Sequence, residues 1–291
     1  MYPSRLRYEA PRSVGEASRL LADGGGEAKI LAGGQSLVPM LKLRFASPEM
    51  LVDINEIPDL AYHERDADGS IRVGALCRHA DLERSSLLAQ HQPTMMAAAP
   101  LVADPVVRNR GTLVGSLCHA DPQGDWSSVM MALGASVVAE STRGRRSIAM
   151  KDLVRGPFQN TLDIDEVAVE AVIPAPQGTA TGGYLKLERR VGDFATTGVA
   201  VAIDRVGPNV VRAGIGLTAV GPRTISADEA AALLVGGPLT LESIGEAAEL
   251  AAAAAEPHTD HRGSAEYKRN LVRVFTRRLL TGLLTAGEEA A

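Results

Sequence analysis

Apolar and polar positions along this chain follow two periods, and the period changes at glycines. Between Pro11 and Asp23 (PRSVGEASRLLAD) apolar side chains recur every three or four residues. This spacing predicts a short amphipathic helix, ended by a run of three glycines. A brief strand is expected over 28–32, a short helix over 36–44 and an apolar strand over 50–54 (MLVDI). Residues 61–63 and 70–75, joined through Asp68-Gly69, read as a hairpin. From 79 to 103 the chain is rich in Ala and Leu with helical spacing, and the helical pattern returns over 129–132. Strands are expected at 136–139 and 167–173.

Composition shifts at IPAPQGTATGG, residues 173–183, whose Pro, Gly and Thr content is that of a connector. Three β-like runs follow at 184–189, 199–203 and 210–219, and then three helical segments. In the last of these, 264–283, Tyr267, Leu271, Val274, Phe275 and Leu279 share one face and Arg and Lys occupy the other. No internal repeat is evident. The pattern predicts an α+β chain in two parts, 1–176 (lobes about 1–55 and 56–176) and 177–291.

Charge and composition narrow the function more than the fold. The chain has 291 residues and a net charge of −5, which argues against a nucleic-acid binder or a protein held on an anionic membrane. No apolar run approaches the ~18 residues of a membrane span, and MYPSRLRYEAP lacks the apolar core of a signal peptide. A cytoplasmic location is expected. Aromatic residues make up only 3% of the chain, so the core must be aliphatic. The two cysteines, Cys77 and Cys118, are too few for a disulfide framework, a structural zinc site or a thiolate-held iron–sulfur cluster.

Two Gly-rich stretches carry the candidate chemistry. LAGGQSLVPMLKLR, Leu31 to Arg44, sets two glycines and two small polar residues where a strand gives way to a helix. Glycine lets backbone approach a ligand closely, and consecutive N–H groups make an anion-binding concavity. Neither the dinucleotide fingerprint G-x-G-x-x-G nor the Walker pattern fits, because the later glycines and the G-K-[ST] are missing. RNRGTLVGSLCHADPQGDW, Arg108 to Trp126, offers Gly111, Thr112, Gly115, Ser116 and Asp125 for a second phosphate nest and a ribose or adenine hydrogen bond. Two nests would suit the two phosphates of one dinucleotide. Each stretch alone reads more readily as an ordinary turn. Other residues read as structural: His119 with Asp121 lacks a nucleophile, His258 and His261 lack a third ligand, and Met95-Met96 suits a core. Arg143, Arg145 and Arg146 suit a solvated hairpin face, with docking of an acidic partner the lesser alternative.

Taken in order, LAGGQSLVPMLKLR with LVDINEIPDL, RNRGTLVGSLCHADPQGD, GGYLKLERRVGDFA and DHRGSAEYKRNLVRVFTRRLL resemble the FAD-binding medium subunits of the molybdenum hydroxylases. This is the family of carbon monoxide dehydrogenase and xanthine dehydrogenase. The resemblance implies a two-lobed FAD-binding domain of the PCMH type followed by a smaller α+β domain of sheet plus helices. It implies non-covalent FAD gripped by Ala32, Gly33, Gly34, Gln35, Ser36 and Leu37, and by Thr112, Leu113, Val114, Gly115 and Ser116. Asp125, nine residues beyond Ser116, would lie near the adenosine end and Lys186 would contact the cofactor. Val102 and Ala168 would make weaker contacts. The family's second loop carries a glycine where this chain has Val114, and a left-handed backbone there would strain a β-branched residue.

The implied role is electron transfer from an iron–sulfur small subunit to an external acceptor, with substrate oxidised on a molybdopterin large subunit. The implied assembly is a dimer of such heterotrimers, with the molybdopterin and 2Fe-2S clusters held by partners. Lys186 is expected to add positive charge near the bound cofactor. Two other classes remain open: a stand-alone FAD-dependent oxidase acting on its own substrate, and a non-enzymatic nucleotide-binding module.

Overall fold

The computed structural model describes residues 2–289. Strand β1 (Arg7–Glu9), helix α1 (Val14–Asp23), strand β2 (Ala28–Leu31), helix α2 (Leu37–Leu43) and strand β3 (Met50–Asp53) build a first lobe. Its three strands run parallel in the order β1-β3-β2, as strands joined through helical crossovers must. Ser13 starts α1 by accepting the Glu16 N–H at 3.2 Å, and Ala17 and Leu21 turn its buried face into the core.

The second lobe begins with the expected hairpin, β4 (His63–Arg65) and β5 (Ile71–Gly74). The helical stretch after it is broken into α3 (His79–Glu83), α4 (Ser86–His91) and α5 (Pro93–Ala98), with a 3-10 turn at Ala99–Leu101. Each break has a local cause. Ser85 caps α4 by accepting the Leu88 N–H, and Pro93 can only open a helix. Helices α6 (Pro105–Arg108), α7 (Leu113–His119) and α8 (Asp125–Leu133) follow. Then come β6 (Ser136–Ser141), β7 (Gly144–Ala149), α9 (Met150–Leu153), the small ribbon β8 (Val154–Gly156) and β9 (Gln159–Asn160), and β10 (Val167–Ile173). The five-stranded sheet has the order β4-β5-β10-β6-β7.

Arg143, Arg145 and Arg146 lie on an exposed hairpin face, as expected, and each is paired with carboxylates of the same chain. Arg143 bonds Asp165 and Asp163 at 2.6 and 2.9 Å, Arg146 forks onto Glu166 at 2.6 and 2.7 Å, and Arg145 reaches Glu140. Docking of an acidic partner on these side chains would have to compete with the chain's own carboxylates.

The remaining chain forms an antiparallel sheet of β11 (Thr179–Leu187), β12 (Thr197–Val206), β13 (Asn209–Thr218) and β14 (Ile225–Ser226), then α10 (Asp228–Leu233), α11 (Leu241–Ala254) and α12 (Ala265–Glu289). Its first strand takes in 179–183, which the composition marked as connector. The small residues there serve close packing instead. A Cβ on Gly182 would strike the Thr94 hydroxyl of α5, and a Cβ on Gly214 or Gly216 would strike the Ala132 or Ser128 carbonyl of α8. These glycines let α5 and α8 lie directly on the sheet. Strand β12 is buried on both faces: Ala200 and Ala202 join the core of the lobes, while Val199, Val201 and Ile203 join a second core under α11 and α12.

Helix α12 buries most of the face the spacing predicts: Phe275 is buried, and Leu271, Val274 and Leu279 pack against the second core. Val272, Phe275, Thr276 and Leu280 are buried, Tyr267 is 45% exposed, and Lys268 is buried with its ammonium 2.7 Å from Asp260 and 3.0 Å from the His258 carbonyl. A buried ion pair with a carbonyl behind it is invisible to a pattern that counts Lys as polar.

Candidate functional site

The Gly-rich segments meet at one cleft of about 660 Å³, within the range of small-ligand sites. The first is the turn from β2 into α2. Gly34 sits there at φ +75°, and a Cβ on Gly33 would strike the Arg110 carbonyl and crowd Gly111 Cα. The two segments therefore touch backbone to backbone, and only glycine fits at the crossing. A small network ties them. Asn55 Nδ2 donates to the Ala32 carbonyl at 2.9 Å, Arg78 donates to Asn55 Oδ1 at 2.6 Å, and the same guanidinium donates to the Arg110 carbonyl at 2.7 Å.

Most of the expected residues line this cleft: Ala32, Gly33, Gly34, Gln35, Ser36 and Leu37 on one wall, Thr112, Val114, Gly115 and Ser116 on the other, with Val102, Asp125 and Ala168 beyond. Among the described residues the N–H groups of Gly33, Gly34, Gln35 and Ser36 meet no protein acceptor, nor does that of Val114. Such rows of open donors suit an anionic ligand. Thr112 Oγ1 accepts the Gly115 N–H at 3.1 Å, so this hydroxyl caps α7 and still has its proton to donate to a ligand. Leu113 turns its side chain into the core and is absent from the cleft lining. Val114 lies inside α7 and is absent from the left-handed residues, so the missing glycine brings no strain.

Asp125 lines the cleft, whereas Lys186 is absent from its lining. Asp125 opens α8 and is buried; its Oδ1 accepts from Tyr184 Oη at 2.6 Å and its Oδ2 from Lys186 Nζ at 3.1 Å. Burial pushes its carboxyl up, against the pull of Lys186 and Tyr184. Lys186 lies behind Asp125, away from the cleft lining, and also bonds the Leu101 carbonyl at 2.9 Å and approaches Glu188 at 3.3 Å. Two carboxylates and a carbonyl absorb its charge. This cluster joins α8 of the second lobe to β11.

The far wall holds residues that sequence reasoning passed over. Gly192, Asp193 and Phe194 line the cleft from the loop between β11 and β12. Arg262, in the DHRG segment before α12, donates to the Phe194 carbonyl at 2.7 Å and meets Asp193 at 3.2 Å, while its own N–H is held by Asp260 at 2.8 Å. Lys268 and nearby donors keep Asp260 at about 2 against its burial. The quoted motifs GGYLKLERRVGDFA and DHRG each carry one side of this arrangement; nothing in the sequence paired Arg262 with Phe194. Cys118 and His119 also line the cleft, His119 with its ring tilted against Phe158 at 5.1 Å. Burial pushes the Cys118 thiol up to about 12, far from a thiolate. Among the described residues no group of three or more His, Cys, Asp or Glu could hold a metal, and no helix is long and apolar enough to cross a membrane.

Comparison with known proteins matches both parts of the chain. Residues 4–176 match the family described as FAD binding domain in molybdopterin dehydrogenase, and residues 183–283 match the CO dehydrogenase flavoprotein C-terminal domain. The carbon monoxide dehydrogenase medium chain of Hydrogenophaga pseudoflava is 41% identical, covering 96% of this chain and 97% of the relative. The alpha subunit of the 6-hydroxypseudooxynicotine dehydrogenase complex of Paenarthrobacter nicotinovorans is 39% identical, with 98% and 96% covered. Among solved structures, the Hydrogenophaga pseudoflava carbon monoxide dehydrogenase lacking the Mo-pyranopterin moiety superposes with a TM-score of 0.92 at 41% identity, covering 97% of this chain and 98% of that one.

Proposed function

We propose a function from one premise: the chain belongs to the family of FAD-binding medium subunits of molybdopterin dehydrogenases, and carries their two-domain fold. It is an oxidoreductase subunit. Its role in this reading is to take electrons from an iron–sulfur small subunit and pass them to an external acceptor, while a molybdopterin large subunit oxidises the substrate. The expected assembly is a dimer of such heterotrimers in the cytoplasm.

One observation carries the site assignment: two glycine-bearing turns touch at one cleft and line it with residues whose N–H groups have no protein acceptor. FAD fits this donor set, since its pyrophosphate supplies the anionic oxygens that such turns bind. Backbone from Ala32 to Leu37 would hold one phosphate. Thr112, Leu113, Val114, Gly115 and Ser116 would hold the other, and Val102 and Ala168 would pack along the cofactor. Asp125, with both oxygens already engaged, would offer a remaining lone pair to the adenosine, and Lys186 would act through Asp125. When bound, the flavin supplies exchange between single-electron and paired-electron carriers. The chain has only two cysteines, so cluster ligands must come from a neighbour.

The test starts with the absorbance spectrum of the purified chain, followed by denaturation and chromatography of what is released. About one free FAD per chain supports the reading. Flavin that stays attached after denaturation would instead favour a stand-alone oxidase tethering it through Cys118 or His119, which line the cleft; the raised Cys118 thiol argues against this. No flavin, even after co-expression with neighbouring subunits, would overturn the phosphate-turn assignment. With partners present, anaerobic substrate must bleach the flavin band; a band that stays would sink the electron-transfer role.

A further inference from the structure

His79 lies at the point where the two turns cross, and no sequence motif drew attention to it. It opens α3, and its backbone N–H donates to the Gly111 carbonyl at 3.0 Å. Its ring is only 4% exposed yet lines the cleft. Nδ1 accepts a hydrogen bond from the indole Nε1–H of Trp126, 3.0 Å away, and the two rings stack with centroids 6.0 Å apart. An indole N–H only donates, so Nδ1 must be unprotonated and the proton of the neutral ring must sit on Nε2. Among the described residues that Nε2–H has no acceptor. The Cδ2–Nε2 edge lies so near Gly111 that a Cβ there would come within 2.8 Å of the ring. Gly111 is thus the residue that lets the imidazole reach the turn.

We propose that His79 is an additional ligand-binding residue: a neutral imidazole, its tautomer fixed by Trp126, whose Nε2–H donates to a phosphoryl oxygen of the bound dinucleotide. This rests on the FAD reading above and adds an imidazole donor to the backbone donors of the two turns. Three features favour it. Nε2 is not one of the buried polar atoms left without a partner, so it opens onto the cleft, where a ligand oxygen can accept its hydrogen bond. The ring stays neutral at physiological pH, because burial and the nearby Arg108 and Arg78 guanidinium groups lower it to about 4. A ring fixed by stacking and by one hydrogen bond loses little freedom on binding.

The test uses the full chain stripped of flavin, with FAD, ADP and riboflavin as probes. In 15N-histidine-labelled wild type, Nδ1 of His79 should resonate as an unprotonated nitrogen and Nε2 as a protonated one. ADP or FAD should shift Nε2, and riboflavin should not. His79→Ala should weaken FAD and ADP roughly tenfold, the usual loss for one hydrogen bond to a charged group, and leave riboflavin unaffected. His79→Gln, which carries an amide N–H near the Nε2 position, should recover most of the loss. If FAD binds but Nε2 does not move and His79→Ala binds FAD as wild type does, the inference fails and the FAD reading survives. A loss confined to riboflavin overturns the phosphate assignment. Wild type that binds none of the probes overturns both.

Discussion

At the scale of single residues, the cleft depends on atoms whose value comes from what they leave free. Gly33 and Gly111 matter for the Cβ they lack, and Trp126 matters because it occupies one ring nitrogen of His79 and thereby dictates the state of the other. The same burial makes His79 a pH-sensitive element of stability. Its folded value, about 4, lies below the usual histidine value of 6.5. Between these limits the unfolded chain binds a proton that the folded chain refuses, so stability falls as pH drops from 6.5 towards 4 and is insensitive to this group above 6.5. The full loss is about 3 kcal/mol, at 1.36 kcal/mol per unit. Urea denaturation midpoints of wild type and His79→Gln, followed from pH 7.5 to 4.5, should converge as the pH falls. A constant gap would mean that His79 protonates normally in the fold.

At the scale of elements, regular pieces were legible and their contacts were not. The helix at 14–23, the strands at 28–31 and 50–53 and the hairpin at 63–74 follow from short-range periodicity and turn chemistry. The 79–103 stretch was read as one helical region, although Ser85 and Pro93 already marked its breaks. The strand at 179–187 was half hidden, because glycines placed for close packing by α5 have the composition of a linker. In the candidate site the two Gly-rich turns could be read directly. Asn55 lay inside a quoted motif, but its bond to Ala32 depends on a fold that sequence spacing does not encode. The loop at 192–194 was legible only as part of a resemblance, since its holder Arg262 lies 68 residues from Phe194. That bond gives a direct prediction. Arg262→Ala should free the loop and speed tryptic cleavage after Arg189 and Arg190 several-fold, with little change in the thermal midpoint. Unchanged cleavage kinetics would show that the loop is held by its packing against Ala103 and Asp104 instead.

At the scale of the whole molecule, the two parts share more than a boundary. Strand β12 supplies side chains to both cores, and Asp125, Tyr184 and Lys186 form a buried polar junction under the cleft. The Lys186 side chain is 2% exposed and that of Asp125 8%, so neither charge tolerates loss of the other. Lys186→Met should destabilise the chain by about 3–5 kcal/mol, the usual cost of a stranded buried charge. Adding Asp125→Asn should restore much of it, as read from denaturant midpoints. If the single variant is as stable as wild type, the ammonium is not the partner that Asp125 requires. With its charge so matched, Lys186 has none to spare for a cofactor, and an unchanged flavin potential in the double variant would agree with that.

The junction also sets an order of events at the ribosome. Residues 1–176 emerge first and hold both glycine turns, yet Tyr184 and Lys186, which close the floor beneath Asp125, and Arg262, which holds the opposite wall, are synthesised later. A nascent chain paused before residue 262 has a cleft with one wall unsupported. Firm cofactor retention is therefore expected only once residue 262 is in place, so ribosome-bound chains truncated before it should retain less FAD than the full chain.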